Sequence, residues 1–412
     1  MYKIELMNPD HALDIARIKI DAFPGHGLVL EEAAKHITET HERPDVKYYS
    51  AFKEDKLVGG FCIWDFDMNM RQAMVKAGGV GAVVVDLCHK KEKIALEIIR
   101  YFLDNLRSKG ANMAMLYPFD SGFYHKMGFG FGTLLQQYRL KPADLPGGKS
   151  KSHITRLTED DAQAITDFYN SRVKCTHGLI TKRADEFIKR LKLPANKFYA
   201  HVEDGQVRGY IYFQFRKGSD ESTLVNDMFV GELLFDSPEV FAELMAFAKS
   251  QADQIRYCII NTLEEGLINT IPDPRNHMDR MLFSVYQEVC RTGLGIMYRI
   301  CDVEGFFKDI SSCRFGNLNM TIQVNVNDSF IPENNKPFML KFSDGQCKIT
   351  PDATPDAELC IDIAEFTSLV IGTVNLTHLV RYGKAKLSNM SHLAAISNAF
   401  SLDEKPICLT YF

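Results

Sequence analysis

Apolar and polar residues in the first part of the chain follow both the helical and the strand period. The apolar residues of 12–23 and of 94–106 recur at helical spacing, and Gly110 is the expected end of the second helix. Between these helices, short runs rich in β-branched and aromatic residues predict strands at 48–52, 57–64, 74–76 and 81–86. This mixture of elements predicts an α/β domain.

The same pattern returns after residues 141–150, a segment of Pro, Gly and polar residues that predicts a linker. Small polar residues introduce a helix after residue 155, as they do before residue 12. A strand-turn-strand signal at 198–213 and a helix signal at 240–252 follow. We interpret this as an internal duplication whose second copy has diverged. Two unrelated α/β modules remain the alternative.

A third pattern begins near residue 289. Residues 320–326 and 338–342 alternate apolar and polar side chains, and Asp344-Gly345 predicts a hairpin turn after the second run. Helical stretches follow at 363–371 and near 391–400. The predicted fold class is therefore α/β and α+β multidomain, with domains at 1–145, 146–288 and 289–412.

Length and composition exclude several classes of protein. A chain of 412 residues exceeds one hydrophobic core, so two or three domains are expected. The formal net charge of −5 argues against a general nucleic-acid binder, and such a mild acidic excess is mostly solvated surface. The ten cysteines form no C-x-x-C pair, which predicts reduced thiols and no metal site. No apolar run approaches the ~20 residues that span a bilayer, which predicts a cytoplasmic protein without a membrane partner.

A strand-to-helix junction in the first domain carries a binding signal. Val83–Val85 form a strand that leads into the basic segment His89–Lys93, just before the helix that begins near Ile94. An unpaired strand edge offers backbone hydrogen bonds, and a helix N-terminus offers free N–H groups to a phosphate. A solvated basic helix start is the alternative. The position between a Val-rich strand and an amphipathic helix favours an anion site.

A second motif follows the strand predicted at 111–117. Residues 121–129 combine a small-residue turn, Tyr124 on a short helix, and a Gly-Phe pair that opens a new strand. His125 adjoins Tyr124, but neighbouring helical residues face different directions, so a surface histidine is expected. Tyr124 is therefore the candidate catalytic residue in this motif.

With this basic junction and this tyrosine turn, the chain resembles the GNAT acetyltransferase superfamily. Over its whole length it is similar to the three-domain Eis-type (enhanced intracellular survival) N-acetyltransferases. The resemblance implies two tandem GNAT-like domains, the second degenerate, and a C-terminal sterol-carrier-like domain. It also implies acetyl-CoA as co-substrate, a small-molecule amine as acceptor, and a homo-oligomer, a hexamer in that family.

The resemblance also assigns roles within the first domain. Tyr124 is the expected general acid, which protonates the departing thiolate, and a backbone N–H near Val83 is the expected oxyanion donor. Lys93 stands where the family has a glycine, so weaker or shifted cofactor binding is expected. The residues expected to bind acetyl-CoA are Val83, Val84, Val85, Lys90, Lys91, Glu92, Lys93, Ile94, Ala95, Leu96, Phe119 and Asp120.

The last five residues, 408–412, are apolar enough for burial, unlike most chain ends. In the Eis-type family the terminal carboxylate enters the active site of the first domain. The resemblance therefore makes the carboxylate of Phe412 the acceptor of the amine proton. An aromatic plug in the sheet of the third domain is the alternative. Trp64, Phe23 and His26 are further candidates for the walls of the amine pocket.

The predicted function is acetyl transfer from acetyl-CoA to amines of polycationic small molecules such as aminoglycosides. One alternative is an acetyltransferase for protein lysines or polyamines. Another is a non-catalytic protein that binds an apolar ligand and has a degenerate CoA site.

Overall fold

The computed structural model describes residues 2–148, 150–278 and 281–412, so Lys149 of the predicted linker lies outside the described residues. Contacts divide the chain into two compact units. The first unit holds the described residues up to Gly132 together with Ile296–Pro406 and Thr410–Phe412. The second unit holds the described residues of Thr133–Gly295 and Ile407–Leu409. The three predicted domain boundaries stay a prediction.

The first part of unit 1 is a twisted sheet between helices. Its helices are α1 (Ala12–Ala22), α2 (Leu30–Glu42), α3 (Ile94–Ser108) and α4 (Ser121–His125). Its strands are β1 (Tyr2–Leu6), β2 (Val46–Lys53), β3 (Lys56–Met70), β4 (Ala73–Val85), β5 (Met113–Leu116) and β6 (Gly130–Phe131). The two strands predicted at 74–76 and 81–86 are thus one strand. The intervening Gly78 and Gly79 weaken the strand signal in the sequence.

The two faces of this sheet carry different helices. Val80 and Val85 of β4 share a hydrophobic core with Ile98 and Phe102 of α3. Val84 belongs to a second core with residues of α1 and α2, because alternate side chains of a strand point to opposite faces. Helix α3 ends near Ser108, and Gly110 follows with a φ of 70°, as its predicted role at the helix end requires.

Unit 2 contains a second sheet and its helices. The helices are α5 (Ala162–Val173), α6 (Ala184–Leu191) and α7 (Pro238–Lys249). The strands are β7 (Leu135–Leu140), β8 (Ile154–Arg156), β9 (Lys197–Glu203), β10 (Gln206–Lys217), β11 (Asn226–Phe235), β12 (Ile255–Thr262), β13 (Met281–Phe283), β14 (Tyr286–Gln287) and β15 (Cys290–Gly293).

The last part of unit 1 has an α+β arrangement. Its strands are β16 (Met297–Ile300), β17 (Met320–Asn327), β18 (Pro337–Ser343), β19 (Gln346–Ile349), β20 (Ala357–Asp362) and β21 (Ala385–Leu387). Its helices are α8 (Val303–Asp309), α9 (Ile363–Val370), α10 (Leu376–Arg381) and α11 (Leu393–Phe400). The predicted turn between β18 and β19 is confirmed, with positive φ at Asp344 and Gly345.

The two large sheets share one topology. Their strand orders are β1-β2-β3-β4-β5-β16-β6 and β8-β9-β10-β11-β12-β7-β15. Each sheet has one parallel pair at the same place, β4 with β5 and β11 with β12. The strand beyond that pair comes from elsewhere in the chain, β16 in the first sheet and β7 in the second. The predicted duplication is therefore present in the fold. No described helix is long and apolar enough to cross a membrane.

Candidate active site

Strands β4 and β5 separate part-way along their length. Their parallel register covers only Ala77–Gly79 against Met113–Met115. Strand β4 then continues to Val85, and in the part of the chain that the structure describes no strand pairs with Val80–Val85 on that side. On the other side β4 stays paired with β3, with a bulge between Gly81 and Val84 where Ala82 has a φ of 48°. A ligand with amide groups can therefore pair with this edge as a strand would.

The side chains of Val83–Val85 are committed to the two cores. Val84 is buried towards α1 and α2, while Val83 and Val85 pack with the core of α3. The backbone edge is thus the part of these residues that a ligand can reach. The acetyl-CoA contact predicted for Val83, Val84 and Val85 would be made through this backbone edge.

The loop between β4 and α3 has an unusual backbone. Leu87–His89 form a single 3-10 turn, and Lys91 and Lys93 then adopt left-handed conformations, with φ values of 64° and 67°. Lys93 thus keeps the conformation that the usual glycine would favour, at a cost of about 1–2 kcal/mol for a residue with a β-carbon. No side chain caps α3, so the first N–H groups of Ile94, Ala95 and Leu96 lack intrahelical acceptors. The loop therefore presents donors to an anion.

The charged side chains of this loop differ in whether they form ion pairs. Lys90, Lys91 and Lys93 are exposed and form no ion pair within the described residues. The Glu92 carboxylate accepts hydrogen bonds from Lys53 Nζ at 2.8 Å and lies 3.1 Å from His89 Nδ1. The hydrogen bond from Lys53, and then that from His89, lower the pKa of Glu92. These contacts thus compensate the negative charge of the Glu92 carboxylate. Only the backbone of Glu92 remains for the predicted cofactor contact.

Tyr124 lies in the core next to this region. It is 8% exposed, its ring packs at right angles to those of Phe123 and Phe129, and it shares a core with Val80 and Ile94. Its Oη makes no hydrogen bond within the described part of the chain. Burial, and then the Asp120 carboxylate, raise the pKa of the phenol above 10. The phenol is therefore protonated at neutral pH and has a free O–H donor.

The helix that carries Tyr124 is fixed at both ends. Asp120 caps it by accepting a hydrogen bond from the Phe123 N–H, while the preceding Phe119 is 88% exposed. Behind the helix, Arg299 of β16 donates to the Met127 carbonyl. A side chain at Gly128 would overlap this guanidinium, which explains a glycine there. The C-terminal part of unit 1 thus supports the tyrosine turn.

Phe412 lies on the face of β4 that is opposite to α3. Its ring fills the space above Gly79, where a β-carbon would overlap it, and contacts Phe66 and Tyr117 at centroid distances of 5.2 and 5.3 Å. A β-carbon at Gly81 would stand 3.1 Å from the main-chain carboxyl carbon of Phe412. The predicted residue is therefore in unit 1, at the point where β4 and β5 separate.

Tyr117 holds this segment in place, a role that no local sequence pattern predicts. Its hydroxyl donates a hydrogen bond of 3.0 Å to the Thr410 carbonyl, and its ring stacks on Tyr411. Trp64 stacks on Phe66, which extends the aromatic surface beside Phe412. Phe23 stacks on His26 beyond α1, but neither ring contacts Phe412. His125 is turned to Glu365 at 3.3 Å, and so it is a paired residue and not a freely exposed one.

Two family models match parts of the chain. The family model "Acetyltransferase (GNAT) domain" matches residues 3–132. Residues 3–132 form a GNAT acetyltransferase domain. The model "Sterol carrier protein domain" matches residues 303–409. The predictions of an N-acetyltransferase enzyme and of a sterol-carrier-like C-terminal domain are confirmed. No curated protein matches the chain significantly.

Solved structures share the fold over the full length of the chain. A GCN5-related N-acetyltransferase from Anabaena variabilis has a TM-score of 0.83 at 15% identity, with 100% of both chains covered. One from Kribbella flavida has a TM-score of 0.80 at 19% identity, covering 100% of this chain and 98% of its own. Eis1 from Mycobacterium abscessus has a TM-score of 0.80 at 17% identity, with 100% of both covered. At these identities the likeness shows the fold alone.

The GNAT domain implies acetyl-CoA as co-substrate, and the residues present fit that molecule. The open edge of β4 matches the amide groups of a pantetheine arm. The N-terminus of α3 and the exposed lysines match a pyrophosphate. Lys93 does not remove this fit, because its backbone keeps the glycine conformation.

Proposed function

We propose that the protein is an acetyl-CoA-dependent N-acetyltransferase for amines of polycationic small molecules, aminoglycosides among them. The observation that carries the proposal is the position of Phe412, whose carboxyl group lies over Gly81 beside the open edge of β4. A carboxylate at this position supports the proposed role of Phe412 as proton acceptor, because a thioester would bind along the same strand.

The cofactor contacts follow from the backbone. The edge at Val83–Val85 pairs with the pantetheine amides, and the N–H groups and cations of 90–96 hold the pyrophosphate. Phe119 and Asp120 border the same site at the start of α4. Acetyl-CoA supplies the activated acetyl group and a thiolate leaving group.

Three groups of the chain then serve the transfer. The Phe412 carboxylate accepts a proton from the ammonium or the attacking amine, directly or through water. A backbone N–H near Val83 donates to the developing oxyanion. The Tyr124 phenol, protonated because its pKa is raised, donates its proton to the thiolate.

A cationic amine suits the surface around Phe412. The rings of Phe66 and Tyr117 each contact the ring of Phe412, and aromatic faces attract ammonium groups by about 0.5–2 kcal/mol. The carboxylate adds opposite charge. The alternative of a degenerate, non-catalytic CoA site is weakened, because Lys93 retains the loop conformation that the glycine would give.

Three further features belong to the same proposal. We infer domains at 1–145, 146–288 and 289–412 from the sequence pattern, a homohexamer from the resemblance to the Eis-type enzymes, and a cytoplasmic location from the scattered cysteines. Light scattering of the purified protein measures the assembly, and a mass that fits a monomer contradicts the hexamer.

The test is thiol release from acetyl-CoA with a panel of aminoglycosides, polyamines and lysine peptides. Rapid turnover with aminoglycosides supports the proposal. Turnover confined to polyamines or lysine peptides favours the alternative acceptors, and no turnover with any amine contradicts the proposed function. Calorimetry with CoA separates an inactive enzyme from a protein without a CoA site.

A chain extended by one glycine after Phe412 tests the proton acceptor, because the extension converts the carboxylate beside Gly81 into an amide. We expect a loss of turnover of about 10²-fold or more, typical of removing a general base. An extended chain with full turnover rules out this role for Phe412.

A further inference from the structure

A cluster of two histidines and a glutamate lies in unit 2 and includes no residue of the candidate active site. His153 precedes β8, His201 is on β9 and Glu243 is on α7. Their ligand atoms all lie within 4.8 Å of one another. The residues are far apart in the sequence, so no local motif marks them. We propose that His153, His201 and Glu243 form a binding site for a zinc-like divalent cation.

The distances within the cluster suit ligands of one ion. His153 Nδ1 lies 3.1 Å from Glu243 Oε1, and His201 Nε2 lies 3.8 Å from Glu243 Oε2. Two ligands at 2.0–2.1 Å from a tetrahedral zinc ion are separated by roughly 3.4 Å. The two observed distances lie on either side of that value, each to a different oxygen of the carboxylate. The second contact is too long for a hydrogen bond, so the carboxylate does not already satisfy His201.

Burial gives the cluster its second argument. His201 is 5% exposed, and its Nδ1 has no hydrogen-bond partner in the described structure. The nitrogen nearer Glu243 is Nε2, which lies too far from the carboxylate for a hydrogen bond and so remains available to a cation. Two imidazoles whose centroids lie 4.8 Å apart also face one carboxylate, a ligand set that zinc favours.

The site is held by secondary structure, with one adjustable ligand. Ile154 of β8 pairs with His201 in the antiparallel register, and the Val202 N–H donates to the His153 carbonyl. His201 and His153 are therefore fixed side by side. The His153 side chain is 45% exposed, so its ring can move to complete the geometry. A water molecule would supply the fourth ligand.

The cation would have a structural role. It would tie the segment before β8, which follows the Pro- and Gly-rich residues, to β9 and α7 of unit 2. Ligand binding to the folded state alone raises stability. The site shares no residue with the proposed acetyl-transfer site. Because a bound cation would raise stability, its test needs no activity assay.

The experiment uses the full, untagged chain, treated with chelator and dialysed. Zinc chloride is titrated by calorimetry, and cobalt(II) binding is followed by visible absorption. We expect one zinc ion per chain, intense tetrahedral cobalt bands, and an unfolding temperature raised by several degrees with zinc. His153→Ala and Glu243→Gln should each weaken zinc binding at least tenfold. His378→Ala, an exposed histidine in unit 1, should bind zinc as the wild type does.

Two results would overturn the proposal: no saturable binding of one zinc ion, or equal zinc affinity in wild type and His153→Ala. Circular dichroism shows whether each variant folds. Should Glu243→Gln fail to fold, the exposed His153→Ala still decides, together with the cobalt spectrum of the wild type. An octahedral cobalt spectrum without imidazole ligation also counts against the site.

Discussion

The ring of Phe412 occupies the space that a side chain at Gly79 would need. Gly79 and Gly81 point to the same face of β4, because residues two apart in a strand share a face. The two glycines thus leave a channel in which the last residue lies beside the strand. A close approach of this kind explains glycines in the middle of a long strand.

Gly79→Val should displace Phe412 and lower turnover about 10²-fold, since small displacements of catalytic groups have effects of this size. Affinity for CoA should stay within a factor of two or three, because the open edge begins after Gly79. Steady-state kinetics and calorimetry measure the two effects. Gly266→Val is the control, since a β-carbon there meets nothing within 4 Å. Unchanged turnover in Gly79→Val would show that the position of Phe412 is not needed.

Tyr124→Phe should lower kcat by about 10²–10⁴-fold, the range for loss of a general acid. In the proposed mechanism the phenol acts only as the thiolate leaves, so CoA affinity should be unchanged. Tyr382→Phe is the control, because that ring is 73% exposed. An equal loss in CoA affinity and in turnover would indicate that Tyr124 supports the pocket instead of donating a proton.

Lys93→Gly should stabilise the first unit relative to Lys93→Ala by about 1 kcal/mol. Both changes remove one cation, but only glycine relieves the left-handed conformation, whose φ is 67°. The midpoint of urea unfolding measures the difference. CoA affinity should fall by a similar factor in both variants at low salt. Raising the salt concentration should restore this affinity in neither variant. If the two variants unfold at the same midpoint, the backbone strain at Lys93 is negligible.

Periodicity predicted much of the fold because the helices are amphipathic and local. The spans of α1 and α3 follow directly from their apolar spacing and their end residues. Strand β4 was divided in two by its glycines. One of them, Gly79, marks the approach of Phe412, a contact between residues more than three hundred positions apart in the sequence. Local patterns carry no information about such a contact.

The positions of β16 and β7 in their sheets could not be predicted for the same reason. Strand β16 joins the first sheet beside β5, and β7 joins the second beside β12. A short buried strand fits many edges, and the pairing depends on register with a distant partner. Tyr117 was missed because its role is a hydrogen bond to Thr410 at the other end of the chain. The resemblance, not the residue pattern, pointed to Phe412.

The pair of His125 and Glu365 predicts a pH dependence of stability. The hydrogen bond that His125 donates to the Glu365 carboxylate raises the pKa of His125 above 6.5. Burial of Glu365 favours a raised pKa, but His125 outweighs this effect and lowers the pKa of Glu365 below 4.5. The stabilisation is therefore complete between pH 4.5 and 6.5, and it is lost as pH rises through the folded pKa of His125. It is also lost as pH falls through that of Glu365.

His125→Gln should thus destabilise the protein more at pH 6 than at pH 8.5, by less than about 1 kcal/mol because the pair is partly solvated. Thermal unfolding of both proteins at the two pH values measures this. Glu365→Gln should show the same pH trend. A destabilisation that is larger at pH 8.5 would contradict the assigned pair.

Asp328→Asn should destabilise unit 1 by roughly 3–5 kcal/mol, the usual cost of breaking a buried ion pair. Asp328 and Arg299 are both fully buried, and the carboxylate lies 2.7 Å from Arg299 Nη2. The same carboxylate accepts hydrogen bonds from the N–H groups of Phe330 and Ile331. An asparagine keeps the shape but leaves the guanidinium without its counter-charge. The exposed Asp344→Asn is the matched control, and urea unfolding measures both.

The effect should also reach Tyr124, because Arg299 donates to the Met127 carbonyl behind the tyrosine turn. In Asp328→Asn, kcat should fall at temperatures where the protein is still folded, whereas CoA affinity changes little. Arg299→Met combined with Asp328→Asn should recover part of the stability, since it removes the unpaired charge, but not the turnover, since the contact to Met127 is lost. Recovery of both would mean that Arg299 stabilises the core without positioning the tyrosine.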